Sequence, residues 1–126
     1  MTIINNHGTW SLYRPRLLPP GAPGNALFAK RDNDNVDWYD YIRKDKAFKE
    51  GNVVMTIGTD EYGMHVNAAN FDSSRIFPAG QLVLEVEYDG EDPQKYFGDR
   101  MYDPETKEFK DVTFSELVLR PKNATD

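Results

Sequence analysis

Three short runs of alternating residues, all within Val53–Tyr88, limit most strongly what this chain can fold into. Val53, Met55 and Ile57 alternate with Val54 and Thr56. Met64, Val66 and Ala68 alternate with His65, Asn67 and Ala69. Leu82, Leu84, Val86 and Tyr88 alternate with Val83, Glu85 and Glu87. A period of two sends one set of side chains to one face, so each run reads as a half-buried strand. Gly58 and Gly63 bracket the first connection, and Pro78-Ala79-Gly80 closes the second. The expectation is a mainly β or α+β fold: a small antiparallel β-sandwich or barrel-like sheet with one short helix.

The helix is expected over Asp37–Phe48. Trp38, Tyr41, Ile42 and Phe48 recur near one helical face, Asp37 offers a cap at the start, and Gly51 lies just past the end. An aromatic stripe at this spacing reads as a core face; the alternative is a stacking platform for a sugar or base. Ala26–Lys30 reads as a short strand. Met101–Phe109 reads as a hairpin, with Tyr102 and Phe109 flanking a turn opened by Pro104. Val112–Leu119 fits a helix by the capping-box spacing of Thr113 and Glu116, and a strand by its Val and Leu content. Pro121 ends it in either case.

The stretch Met1–Gly24 differs in kind. Pro15, Pro19, Pro20 and Pro23 cluster there with Gly21 and Gly24. Proline fixes φ and lacks the N–H that a sheet interior uses. Residues 1–25 therefore read as an extended Pro-rich N-terminal arm, and residues 26–126 as a single β-rich domain. Trp10, Leu12, Tyr13, Leu17 and Leu18 on the arm are costly to leave in water. The arm either wraps its own domain or docks on a neighbouring subunit. With Arg14 and Arg16 between them, these residues are the candidate partner-binding set. On the docking reading, edge strands from Val53–Tyr88 also pair across subunits, and a chain lacking residues 1–24 folds but no longer assembles.

Searching for chemistry yields little. Asp32, Asp34 and Asp37 resemble the opening of a calcium loop, but the positions that need a tight-turn glycine and a bidentate glutamate hold Asp37 and Arg43. A solvated turn is expected and no metal is assigned. The two histidines, His7 and His65, carry no partner signature for nucleophilic catalysis. His7 approaches the arm's prolines, and His65 lies on the polar side of a strand. Glu85 and Glu87 share a strand face at a spacing compatible with a glycosidase pair, roughly 5–9 Å, yet outward carboxylates are the ordinary dress of a half-buried strand. Phosphate-loop and dinucleotide glycine patterns are absent, so no catalytic residue and no cofactor are assigned. Asn123-Ala124-Thr125 fits a glycosylation sequon, which matters only on export.

At 126 residues the chain is long enough for one modest core. Its aromatic content of 13% sets it apart from disordered chains. The net charge of −6 weighs against nucleic acid and anionic membranes as partners. Cysteine is absent, no basic-then-apolar leader opens the chain, and no apolar run nears the ~20 residues that span a bilayer.

The order Ala26–Lys30, Val36–Arg43, Arg75–Val86, Met101–Phe109 resembles that of small proteins encoded among the tail genes of tailed bacteriophages. The residues that carry it are Val36-Asp37-Trp38-Tyr39-Asp40-Tyr41, Phe77-Pro78-Ala79-Gly80-Gln81 and Tyr102-Asp103-Pro104-Glu105-Thr106. Tail-fibre assembly proteins of such phages have a similar short Tyr-Asp turn near a β-rich end. The resemblance covers the middle and end of the chain. It implies a non-enzymatic structural or assembly subunit, tail-, baseplate- or fibre-associated, in a virion built in the host cytoplasm. Its partners would be other virion subunits, or copies of itself, in an oligomeric assembly. The alternative from the residues is a carbohydrate- or peptide-binding module using Trp38, Tyr39 or Tyr62. A third reading is a small hydrolase using carboxylates and His65.

Overall fold

The computed structural model describes residues 2–18, 20–61, 63–90, 92–93 and 100–111. They form seven strands: β1 (Ile3–Tyr13), β2 (Phe28–Arg31), β3 (Val53–Asp60), β4 (Gly63–Asn70), β5 (Gln81–Val86), β6 (Arg100–Asp103) and β7 (Glu108–Asp111). One helix, α1 (Trp38–Arg43), and one 3₁₀ turn at Ser73–Arg75 complete the set. The strands make a single antiparallel sheet in the order β2-β1-β5-β3-β4-β6-β7. The sheet is not closed, so the expected sandwich or barrel becomes one open sheet with a cover.

The reason lies in β3. Its residues Val53–Ile57 are all buried, on both faces. One face gathers Met55, Ile57, Val66, Leu84 and Val86 with Tyr102. The other gathers Val54 and Val83 with Trp10, Ala29, Trp38 and Ile76. Alternation read as wet-and-dry is in fact dry-and-dry across the sheet's centre. The second face is covered by α1 and by the connection that carries Ile76 and Phe77. Each fully buried aliphatic side chain here contributes about 1.5–3 kcal/mol, so the double burial matters more than any hydrogen bond. A bulge at Asn67 adds one residue to β4 between the pairs Thr56↔Ala68 and Ile57↔Val66. It switches the parity, so that Met64, Val66 and Ala69 share one face and Ala68 takes the other.

Residues 3–13 are not an arm. They form the longest strand, hydrogen-bonded to β2 on one side and β5 on the other. The prolines begin only at Pro15, so nothing in Ile3–Tyr13 lacks the N–H that a sheet requires. The Pro-rich residues instead make the connection between β1 and β2. The helix is also shorter than its pattern: six residues, with Asp37 capping through a bond from the Asp40 N–H at 3.1 Å. Lys46 at φ +46° cannot continue it, yet Phe48 still packs on the covered face. The hairpin is present as β6–β7, with Tyr102 paired to Phe109 and their rings 5.1 Å apart. Val112–Leu119 lies outside the described residues.

Candidate functional site: a groove beside the helix and the polar cluster beneath it

Glu85 was expected to face water. It shares the covered face with Val83 and is 1% exposed, whereas Glu87 stays outside. Its Oε1 accepts from His7 Nε2 at 2.8 Å and Asn5 Nδ2 at 3.2 Å. Its Oε2 accepts from Asn52 Nδ2 at 2.7 Å and the Lys49 N–H at 2.9 Å. The cluster continues outward from the imidazole. A carboxylate only accepts, so His7 Nε2 carries a hydrogen toward it, while Nδ1 lies 2.6 Å from the Tyr41 hydroxyl. The Tyr41 oxygen accepts in turn from Arg31 Nη1 at 3.0 Å, and Arg31 grips Asp34 in a two-point fork at 2.7 and 2.9 Å.

This arrangement depends on a fault in β1. Asn6 pairs with Leu84 but Thr9 pairs with Leu82, which leaves one extra residue at His7-Gly8. In a regular strand, residues three apart point to opposite faces. The bulge lets His7 and Trp10 share the covered side, and Trp10 Nε1 donates to the His7 carbonyl at 3.1 Å. Gly8 sits at φ +82°, and a Cβ there would lie 3.1 Å from Arg31 Cδ. Gly8→Ala is therefore expected to destabilise by about 1–3 kcal/mol, from backbone strain and displacement of Arg31. The urea midpoint measures it, and an unchanged midpoint would show that the bulge relaxes freely.

Burial by itself pushes the Glu85 carboxyl up. The bonds from Asn52, His7, the Lys49 N–H and Asn5 outweigh it and hold the group below its ordinary 4.5. A carboxyl depressed in the fold contributes stability that is present above its unfolded value and lost as pH falls through the folded one. Stability is thus expected to decline as pH drops below about 4.5, and Glu85→Gln should flatten that decline in thermal melts taken across the acid range.

The cluster fixes one side of α1. Trp38, Tyr41 and Ile42 pack inward, and Trp38 Nε1 donates to the Ile76 carbonyl at 3.0 Å. Tyr39, which also packs against the covered-face core, joins Asp40 and Arg43 in lining a groove of about 530 Å³ together with Pro20, Pro23 and Phe28. The Tyr39 hydroxyl donates to the Leu27 carbonyl at 2.9 Å, and the Arg43 guanidinium lies 5.6 Å over the Tyr39 ring. Asp37, also at the groove, accepts from the Tyr13 hydroxyl at 2.5 Å. Burial, then Asp37, pushes the Tyr13 hydroxyl well above its ordinary pKa. Neither His7 nor Glu85 lines the groove.

The sequence-derived partner set scatters across this region. Trp10 is buried in the chain's own core, edge-on to Trp38. Leu12 on β1 is 59% exposed and Leu17 is 87% exposed. Tyr13 and Leu18 are half-buried. Arg14 ties across the connection to the Gly24 carbonyl at 3.3 Å, and Arg16 points outward. Of the stacking residues, Trp38 is fully buried and closed to any ligand, Tyr39 lines the groove, and Tyr62 lies outside the described residues. His65 meets Asp60 Oδ1 at 3.1 Å, a partner apart from the buried cluster. The three aspartates read as a turn diverge: Asp32 accepts from Thr9 and Ser11, Asp34 from Arg31, and Asp37 caps the helix. Compared with models of protein families, with curated proteins and with solved structures, the chain matches none.

Proposed function

We propose that this protein is a non-enzymatic assembly subunit of a tailed-phage virion, associated with the tail, baseplate or fibres. It docks on neighbouring subunits through the β1–β2 connection; the strands of Val53–Tyr88, expected to pair across subunits, lie inside the sheet with neighbours on both sides. The observation that carries this reading is Leu17 at 87% exposure, with Leu12 at 59% and Leu27 at 57% around the same connection. Covering one such leucine contributes about 1.5–3 kcal/mol, which favours a partner over water. The phage setting rests on the resemblance of the turn and aromatic motifs. The net charge of −6 supports protein rather than nucleic acid as the partner. The state of His7 and Glu85, sealed at 7% and 1% exposure with their ring nitrogens and carboxylate oxygens partnered, supports a structural role over acid–base catalysis.

The groove beside Tyr39 favours a second reading, a peptide-binding module. Both readings are tested by co-expressing the tagged protein with the products of adjacent genes. A stable complex that is lost in the Leu12→Asp, Leu17→Asp double variant supports docking. Loss in Tyr39→Ala alone, with the leucines dispensable, moves the binding to the groove. A protein that holds none of the neighbours removes the assembly role.

A further inference from the structure

The docking connection carries both a projection and a socket. Leu17 stands almost free at one end of the connection, beside Arg16, which forms no ion pair among the described residues. The groove begins at Pro20, three residues further on, and Phe28 and Tyr39 are among its lining residues. Its rim carries Asp37 and Asp40, and the Asp40 carboxylate likewise forms no ion pair among the described residues. An exposed leucine next to an unpaired cation thus lies close to a partly apolar groove that carries two acids and one cation, Arg43. Three residues span at most about 10 Å, so projection and socket occupy neighbouring patches of one surface.

From this complementarity we infer that the occupant of the groove is a second copy of this chain. Leu17 of each protomer enters the groove of its partner, and Arg16 faces Asp40 across the contact. Because the two patches adjoin, a two-fold axis between them satisfies both sockets at once. The contact closes on itself instead of propagating into a filament. The inference rests on the docking reading above and adds the partner and the symmetry. Arg43, which also lines the groove, stacks 5.6 Å over the Tyr39 ring, and its long side chain moves aside as the leucine enters.

Sedimentation velocity on the full chain tests it, across a wide range of concentration. The wild type is expected to be a reversible dimer. Leu17→Asp is expected to weaken dimerisation at least tenfold, about 1.4 kcal/mol, with an unchanged circular dichroism spectrum because the residue is exposed. Arg16→Asp and Asp40→Arg should each weaken it, and the two together should recover most of the loss, which a merely structural effect would not do. A wild type that stays single at every concentration overturns the inference, as does a Leu17→Asp variant that dimerises as tightly as the parent. The co-expression assay separates the two failures. A single wild type that still holds a neighbouring gene product through Leu17 removes the dimer and leaves the docking reading. Loss of both removes both.

Discussion

Deleting residues 1–13 is expected to leave a chain that does not fold. β1 lies inside the sheet, bonded to β2 and β5. Its removal strips Trp10 from the covered face, where truncating a buried tryptophan alone costs about 3–5 kcal/mol. It also removes His7 and Asn5, leaving the Glu85 Oε1 atom without the donors shown for it. A domain of this size holds about 5–15 kcal/mol in total, and the lost strand exceeds what that margin tolerates. Far-UV circular dichroism and amide dispersion in a proton–nitrogen spectrum measure the outcome. A truncated chain that melts cooperatively near the wild-type temperature would show that the remaining strands close over the gap. This expectation reverses the one drawn from composition, in which the same region was dispensable for folding.

The second large effect is expected at Glu85. Glu85→Ala leaves four donors, from His7, Asn5, Asn52 and the Lys49 N–H, without their acceptor; His7 is buried, Asn52 half-buried, and Asn5 and Lys49 are at the surface. Leaving the buried His7 donor unsatisfied costs about 1–3 kcal/mol, with smaller losses at the three donors that water reaches. Glu85→Gln keeps the volume and one accepting oxygen but turns an amide N–H₂ toward donors, so it should fall between. Because Lys49 and Asn52 belong to the segment after α1, the Ala variant should also loosen the helix, seen as faster hydrogen exchange over residues 38–52. A change within about 0.5 kcal/mol, the range of ordinary surface substitutions, would mean that water replaces the carboxylate without penalty.

How far the sequence alone leads can be judged residue by residue. The three alternating runs are β3, β4 and β5, Ala26–Lys30 overlaps β2, and the Pro104 turn joins β6 to β7. Asp37 caps as its type and position suggest. These features depend on neighbours in the chain, and local pattern records them. What escaped depends on what lies across the sheet. A glutamate between Leu84 and Val86 looks the same whether its face meets water or a helix, and only the cover decides. His7 and Trp10 have opposite parity, so no alternating template places them together. The one local sign of the bulge is Gly8 between them, a residue type that marks such irregularities. β1 escaped because the prolines that follow it coloured the reading of the whole leader. The groove escaped because its walls, Pro20–Pro23 and α1, are distant in function from any motif, and only their proximity makes a socket.

Trp10 and Trp38 are the chain's two tryptophans, and their rings meet edge to face at 5.0 Å. Both indoles therefore report from the same few ångströms, the seam where the helix rests on β1. Emission from this molecule is an optical gauge of how firmly that lid is seated. It is blind to fraying at the β6–β7 margin, which needs a probe of its own.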